Sequence, residues 1–111
     1  MFAPEVPTVS ATDVPDDAYL LDVREDDEWA AGHAPGAHHL PMQDVPARMG
    51  EVPMDDDVYV ICRSGGRSAQ VTAYLLGNGF DQVRNVDGGM RAWAAADRPL
   101  EADGGEAPRI I

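Results

Sequence analysis

Hydrophobic residues fall along this chain in short blocks separated by acidic and turn-forming residues. The densest block, Val58-Tyr-Val-Ile61, is β-branched and aromatic without polar alternation, which predicts a strand covered on both faces. Residues 18–23, Ala-Tyr-Leu-Leu-Asp-Val, read the same way, and residues 6–9, 38–40 and 82–86 supply three shorter strand candidates. Helical spacing falls between them. Residues 25–31 predict a short helix closed by Gly32, and residues 43–49 a second. Residues 68–76 place Val71, Tyr74 and Leu75 on one helical face before the stop Gly77-Asn78-Gly79. Asp87 is placed to cap a helix carrying Met90, Trp93 and Ala94.

Short strands alternating with short helices predict an α/β domain with a mostly parallel sheet. At 111 residues the chain has the length of one domain, and it reads as a single domain over 1–111. Its core spans about residues 6–100, and the polar, Gly-rich segment 101–111 is expected to be a flexible tail. Ligands of open parallel sheets bind outside the carboxyl ends of the strands. The only cysteine, Cys62, directly follows the most hydrophobic strand candidate.

Charge removes several classes of partner. Twenty acidic residues stand against eight basic ones, all arginine, for a net charge of −12. Nucleic acid and anionic membrane surfaces both need cationic side chains, so neither is an expected partner. The acidity reads as a solvated surface. No stretch has the ~20 apolar residues of a membrane helix, and the first residues lack a signal-peptide pattern, so a cytoplasmic location is expected. A single cysteine excludes an internal disulfide. His33, His38 and His39 are the only histidines, and no metal-ligand spacing accompanies them, so neither metal nor cofactor is expected.

Within Cys62-Arg63-Ser64-Gly65-Gly66-Arg67-Ser68, every neighbour favours an anion. A helix N-terminus and adjacent arginines lower a cysteine pKa. Gly65 and Gly66 allow a tight turn whose N–H groups converge. Arg63 and Arg67 can add charge-assisted contacts to a tetrahedral oxyanion. An inert core cysteine would need none of these. The tyrosine-phosphatase type of loop has a Cys-x5-Arg spacing; here Arg67 gives Cys-x4-Arg, a smaller cup better suited to sulfur than to a phosphoryl group.

The chain resembles single-domain rhodaneses, the thiosulfate sulfurtransferase family, over about residues 6–100. Three motifs carry the resemblance in order: Leu-Leu-Asp22-Val-Arg24-Glu25 with Glu28-Trp29-Ala-Ala-Gly32-His33-Ala-Pro35-Gly36-Ala37, the cysteine loop, and Asn85-Val-Asp87-Gly88-Gly89-Met-Arg-Ala-Trp93. Ala34 and the His38-His39 pair depart from the usual pattern. The resemblance implies a five-stranded, mostly parallel sheet with helices on both faces. It also implies double displacement, in which Cys62 attacks the outer sulfur of thiosulfate or a related donor, becomes a persulfide, and gives that sulfur to cyanide, a thiol or a protein acceptor. Arg63, Ser64, Gly65, Gly66, Arg67 and Ser68 would cradle the persulfide, with Arg67 binding the donor. Asp22, Arg24, Glu28 and His33 would support the loop. Trp29 and Trp93 read as packing residues, and Gly88-Gly89 as a helix-start turn. A small phosphatase or arsenate reductase on the same fold, or a non-catalytic interaction or sulfur-carrier domain, stands as the alternative.

Overall fold

A computed structural model describes residues 5–111. Five strands form one sheet: β1 (Thr8–Ser10), β2 (Tyr19–Asp22), β3 (His38–His39), β4 (Val58–Ile61) and β5 (Val83–Asp87). Their order is β1-β5-β4-β2-β3, and every pairing is parallel. The four α-helices are α1 (Asp26–Ala31), α2 (Val45–Arg48), α3 (Gly66–Gly77) and α4 (Gly89–Ala95). The expected architecture is therefore present. The helix anticipated over 43–49 is broken up, with 3-10 turns at Met42–Asp44 and Met49–Glu51 on either side of α2.

The lack of alternation in β4 follows from burial on both sides. Val58, Val60 and Cys62 enter one core with Val71 and Leu75 of α3, Val45 of α2, and Leu21, Val23, Leu40, Val52 and Phe80. Tyr59 and Ile61 enter the other with Met90 and Trp93 of α4, Ala11, Val14, Leu20 and Ala34. Side chains alternate across a strand, so Cys62 inherits the α3 side from Val58 and Val60. That parity turns the sulfur toward the loop that begins α3.

Two local expectations are corrected. Tyr74 is 41% exposed while Val71 and Leu75 are buried. It lies one residue before Leu75 and so about 100° round the helix, outside the buried stripe. Asp87 ends β5 rather than capping α4, whose N-cap is Gly88 at φ 74°. The segment from Glu101, expected to be a flexible tail, makes main-chain bonds to the rest of the chain. Glu101 and His33 exchange N–H···O bonds of 2.9 Å, and the Arg109 N–H donates to the Ala31 carbonyl at 2.9 Å. Ile110 packs beside the α4 core.

Candidate active site

Cys62 sits just past the carboxyl end of β4, 1% exposed. Gly65, at φ 111°, turns the chain sharply enough for its own N–H to reach back to the Cys62 sulfur at 3.1 Å. Only glycine takes that conformation readily. The Ser68 hydroxyl lies 3.2 Å from the same sulfur. Burial pushes the Cys62 pKa up. The Ser68 hydroxyl and the backbone N–H groups of Ser68, Gly65 and Ser64 outweigh it and hold the thiol below its ordinary value. The activation expected from adjacent arginines thus comes mainly from hydrogen bonds inside the loop.

The loop is held from behind by α4. The N–H groups of Met90 and Arg91 donate to the carbonyls of Cys62 (2.7 Å) and Arg63 (3.0 Å). This approach requires glycine at 89, at φ 56°, because a Cβ there would overlap the Cys62 carbonyl and the Arg63 backbone. The Gly88-Gly89 pair is thus a helix-start turn, and the second glycine also gives the reactive loop its seat.

Arg67 is differently occupied from the expected donor-binding role. Its Nη1 and Nη2 donate to Glu28 Oε1 (2.7 Å) and Oε2 (2.9 Å). Glu28 Oε1 also accepts the Glu25 N–H at 2.9 Å. The Arg67 guanidinium is the main influence holding the Glu28 carboxyl below the usual carboxylate range, against the opposing effect of burial. Arg63 is exposed and makes no ion pair among the described residues. Arg91, whose backbone abuts Arg63, is likewise exposed and unpaired there.

Asp22 and Arg24 form a fully buried pair, with Arg24 Nη2 2.7 Å from Asp22 Oδ2. The remaining donors of Arg24 reach the carbonyls of Glu28 (3.2 Å) and Gly32 (2.7 Å), fixing α1 against the sheet. These residues act in series: Asp22 orients Arg24, Arg24 sets α1, and Glu28 of α1 holds Arg67 at the start of α3. His33 stands apart from the loop. Its Nδ1 donates to the Trp29 carbonyl at 2.7 Å, and its ring stacks on Trp29 at 3.7 Å. The His39 ring also stacks with Trp29, at 4.7 Å, and its Nε2 donates to the Arg24 carbonyl at 2.8 Å. Trp29 is therefore a half-buried packing residue, and Trp93 lies in the α4 core. No group of side chains among the described residues could hold a metal ion.

Sequence reasoning gave no individual role to Asn85. It lies in β5, and its Oδ1 accepts from the Ser68 hydroxyl at 2.5 Å. The signal available was its place at the head of the motif Asn85-Val-Asp87-Gly88-Gly89-Met-Arg-Ala-Trp93.

An all-parallel sheet with a thiol cupped by a six-residue loop after its central strand defines the rhodanese-like class. The chain belongs to that family: its sequence matches the Rhodanese-like domain over residues 9–96. It is 46% identical over 90 residues to a sulfurtransferase of Allochromatium vinosum, covering 81% of this chain and 84% of the relative. It is 42% identical over 74 residues to YrkF of Bacillus subtilis, provisionally named a sulfur carrier protein, covering 67% of this chain and 40% of that one. A crystal structure of a Staphylococcus saprophyticus protein superposes with a TM-score of 0.78 at 35% identity, covering 86% of this chain and 99% of that chain.

Proposed function

We propose that the protein is a sulfurtransferase that takes sulfane sulfur from thiosulfate, or a donor of the same kind, onto Cys62 and passes it to a thiophilic acceptor. The observation that carries this reading is the buried Cys62 sulfur, facing the Gly65 N–H at 3.1 Å and the Ser68 hydroxyl at 3.2 Å, donors that hold the thiol below its ordinary pKa. The thiolate attacks the outer sulfur, the donor's own bond to that sulfur breaks, and its electron pair leaves with sulfite. The persulfide then waits in the loop for cyanide or a thiol. Because Arg67 is paired with Glu28, the exposed Arg63 and Arg91 are the cations available to meet an incoming dianion.

Intact mass after incubation with thiosulfate tests the proposal. The protein should gain one sulfur atom, and Cys62→Ser should gain none. Hydrolysis of an aryl phosphate without any sulfur gain would instead favour the phosphatase reading. The likeness to YrkF supports a second role, carriage of sulfur to a protein acceptor. Persulfide formation from another protein's persulfide, with no turnover of thiosulfate and cyanide, would favour it.

A further inference from the structure

The Ser68 hydroxyl has one proton and two acceptors in reach. Asn85 Oδ1 is 2.5 Å away and Cys62 Sγ is 3.2 Å away. All three residues are buried. The Asn85 amide is turned by its other end, where Nδ2 donates to the Gly65 carbonyl at 3.4 Å. That leaves Oδ1, a pure acceptor, facing Ser68. Of the charged groups around the loop, Arg67 from α3 is paired with Glu28 from α1 and also acts on the Cys62 charge, while Arg63 of the loop and Arg91 from α4 are exposed. None of them hydrogen-bonds to the Ser68 hydroxyl or to Asn85 Oδ1. Resting on the sulfur-transfer reading above, we propose that Asn85 is a positioning residue that competes with Cys62 for the Ser68 proton and so divides the rate between the two halves of the reaction.

The competition changes with the charge on sulfur. When Cys62 is a thiolate, Sγ is a charged acceptor and draws the Ser68 proton. When the thiolate attacks, an Sγ–Sδ bond forms, the donor's bond to that sulfur breaks, and the freed electron pair leaves with the donor. Sγ is then neutral and a weak acceptor, and the Ser68 proton returns to Asn85 Oδ1. In the second half the acceptor's lone pair bonds to Sδ, and the Sγ–Sδ pair returns to Sγ. The Ser68 hydroxyl swings back to stabilise that leaving thiolate. Without Asn85 the hydroxyl stays on sulfur throughout. The thiolate is then a poorer nucleophile and a better leaving group, because nucleophilicity falls with pKa while leaving ability rises.

The single thiol makes the test direct. The rate of alkylation by iodoacetamide is followed against pH, with no sulfur donor present, and the midpoint is recorded for each variant. Asn85→Ala should move the midpoint down and, at a pH below it, raise the thiolate fraction roughly fivefold, the worth of about one net hydrogen bond, with a smaller rise in alkylation rate because the thiolate is less nucleophilic. Ser68→Ala should move it up. With Ser68→Ala already present, the Asn85 change should move it no further, since the two act through one proton. Asn85→Leu removes the acceptor while filling the space, and should show the same downward shift even if Asn85→Ala loosens the fold. In single-turnover runs at a pH above both midpoints, where the thiol is fully ionised in either protein, Asn85→Ala should load sulfur more slowly and discharge it faster. An unmoved midpoint, or an equal shift with Ser68 absent, overturns the role of Asn85. Neither result bears on sulfur transfer itself, which fails only if the wild-type protein gains no sulfur from thiosulfate.

Discussion

At the scale of the residue, the most consequential pairing is Glu28 with Arg67. A carboxylate accepting two guanidinium N–H bonds and one backbone N–H is strongly favoured in its charged form. Its folded pKa lies below its unfolded one, so its contribution to stability is complete above the ordinary carboxylate range and is lost as pH falls through the depressed value. Glu28→Gln should therefore cost about 1–2 kcal/mol near neutral pH, and the cost should shrink in acid. Chemical denaturation of both proteins at neutral and acidic pH checks this; an equal gap at both would show that the charge is irrelevant. The same variant frees the Arg67 guanidinium. Kinetics with thiosulfate should show a lower KM, and an unchanged one would mean that Arg67 does not face the donor even when released.

At the scale of the element, the site is an agreement among three helices about one loop. α3 starts from the loop, α1 reaches it through Glu28, and α4 grips its carbonyls through Met90 and Arg91. Gly89→Ala forces a Cβ into the Cys62 carbonyl at a positive φ. It should destabilise by about 2–3 kcal/mol, a fall in Tm of roughly 8–12 °C, with a larger proportional loss of alkylation rate. A Tm within 2 °C of wild type, on the order of the smallest resolvable change, would contradict so close an approach. Much of this level was legible in sequence. β4 stood out because both its faces are buried, and Cys-x4-Arg with two glycines announced a tight anionic turn. The task of Arg67 was not legible: its partner is thirty-nine residues away, and only the fold brings α1 across. Asn85 was hidden for the same reason, since a polar residue inside a strand pattern says nothing about which helix it faces.

At the scale of the whole molecule, a chain of net charge −12 leaves Arg63 and Arg91 unpaired beside its reactive loop. At about 10 mM salt a charge acts over about 30 Å, and at physiological salt over about 8 Å. The molecule measures 38 × 31 × 26 Å, so at low salt its full negative field meets an approaching dianion. Thiosulfate kcat/KM should accordingly rise severalfold as salt increases over that range, and rise more steeply in Arg63→Ala. A fall with salt in the wild-type protein would mean that the rim arginines outweigh the rest of the surface. The strand order carries a consequence of another kind. β1 and β5 come from opposite ends of the chain yet lie side by side, with Thr8 opposite Asn85. Pairings so distant in sequence form late, because the intervening chain must first be closed into a loop. A growing polypeptide on the ribosome would have made Cys62 long before β5 and Gly89 could reach it. Until they do, the thiol lacks its seat and stays an ordinary one, so the newborn chain does not display its nucleophile before the domain is complete.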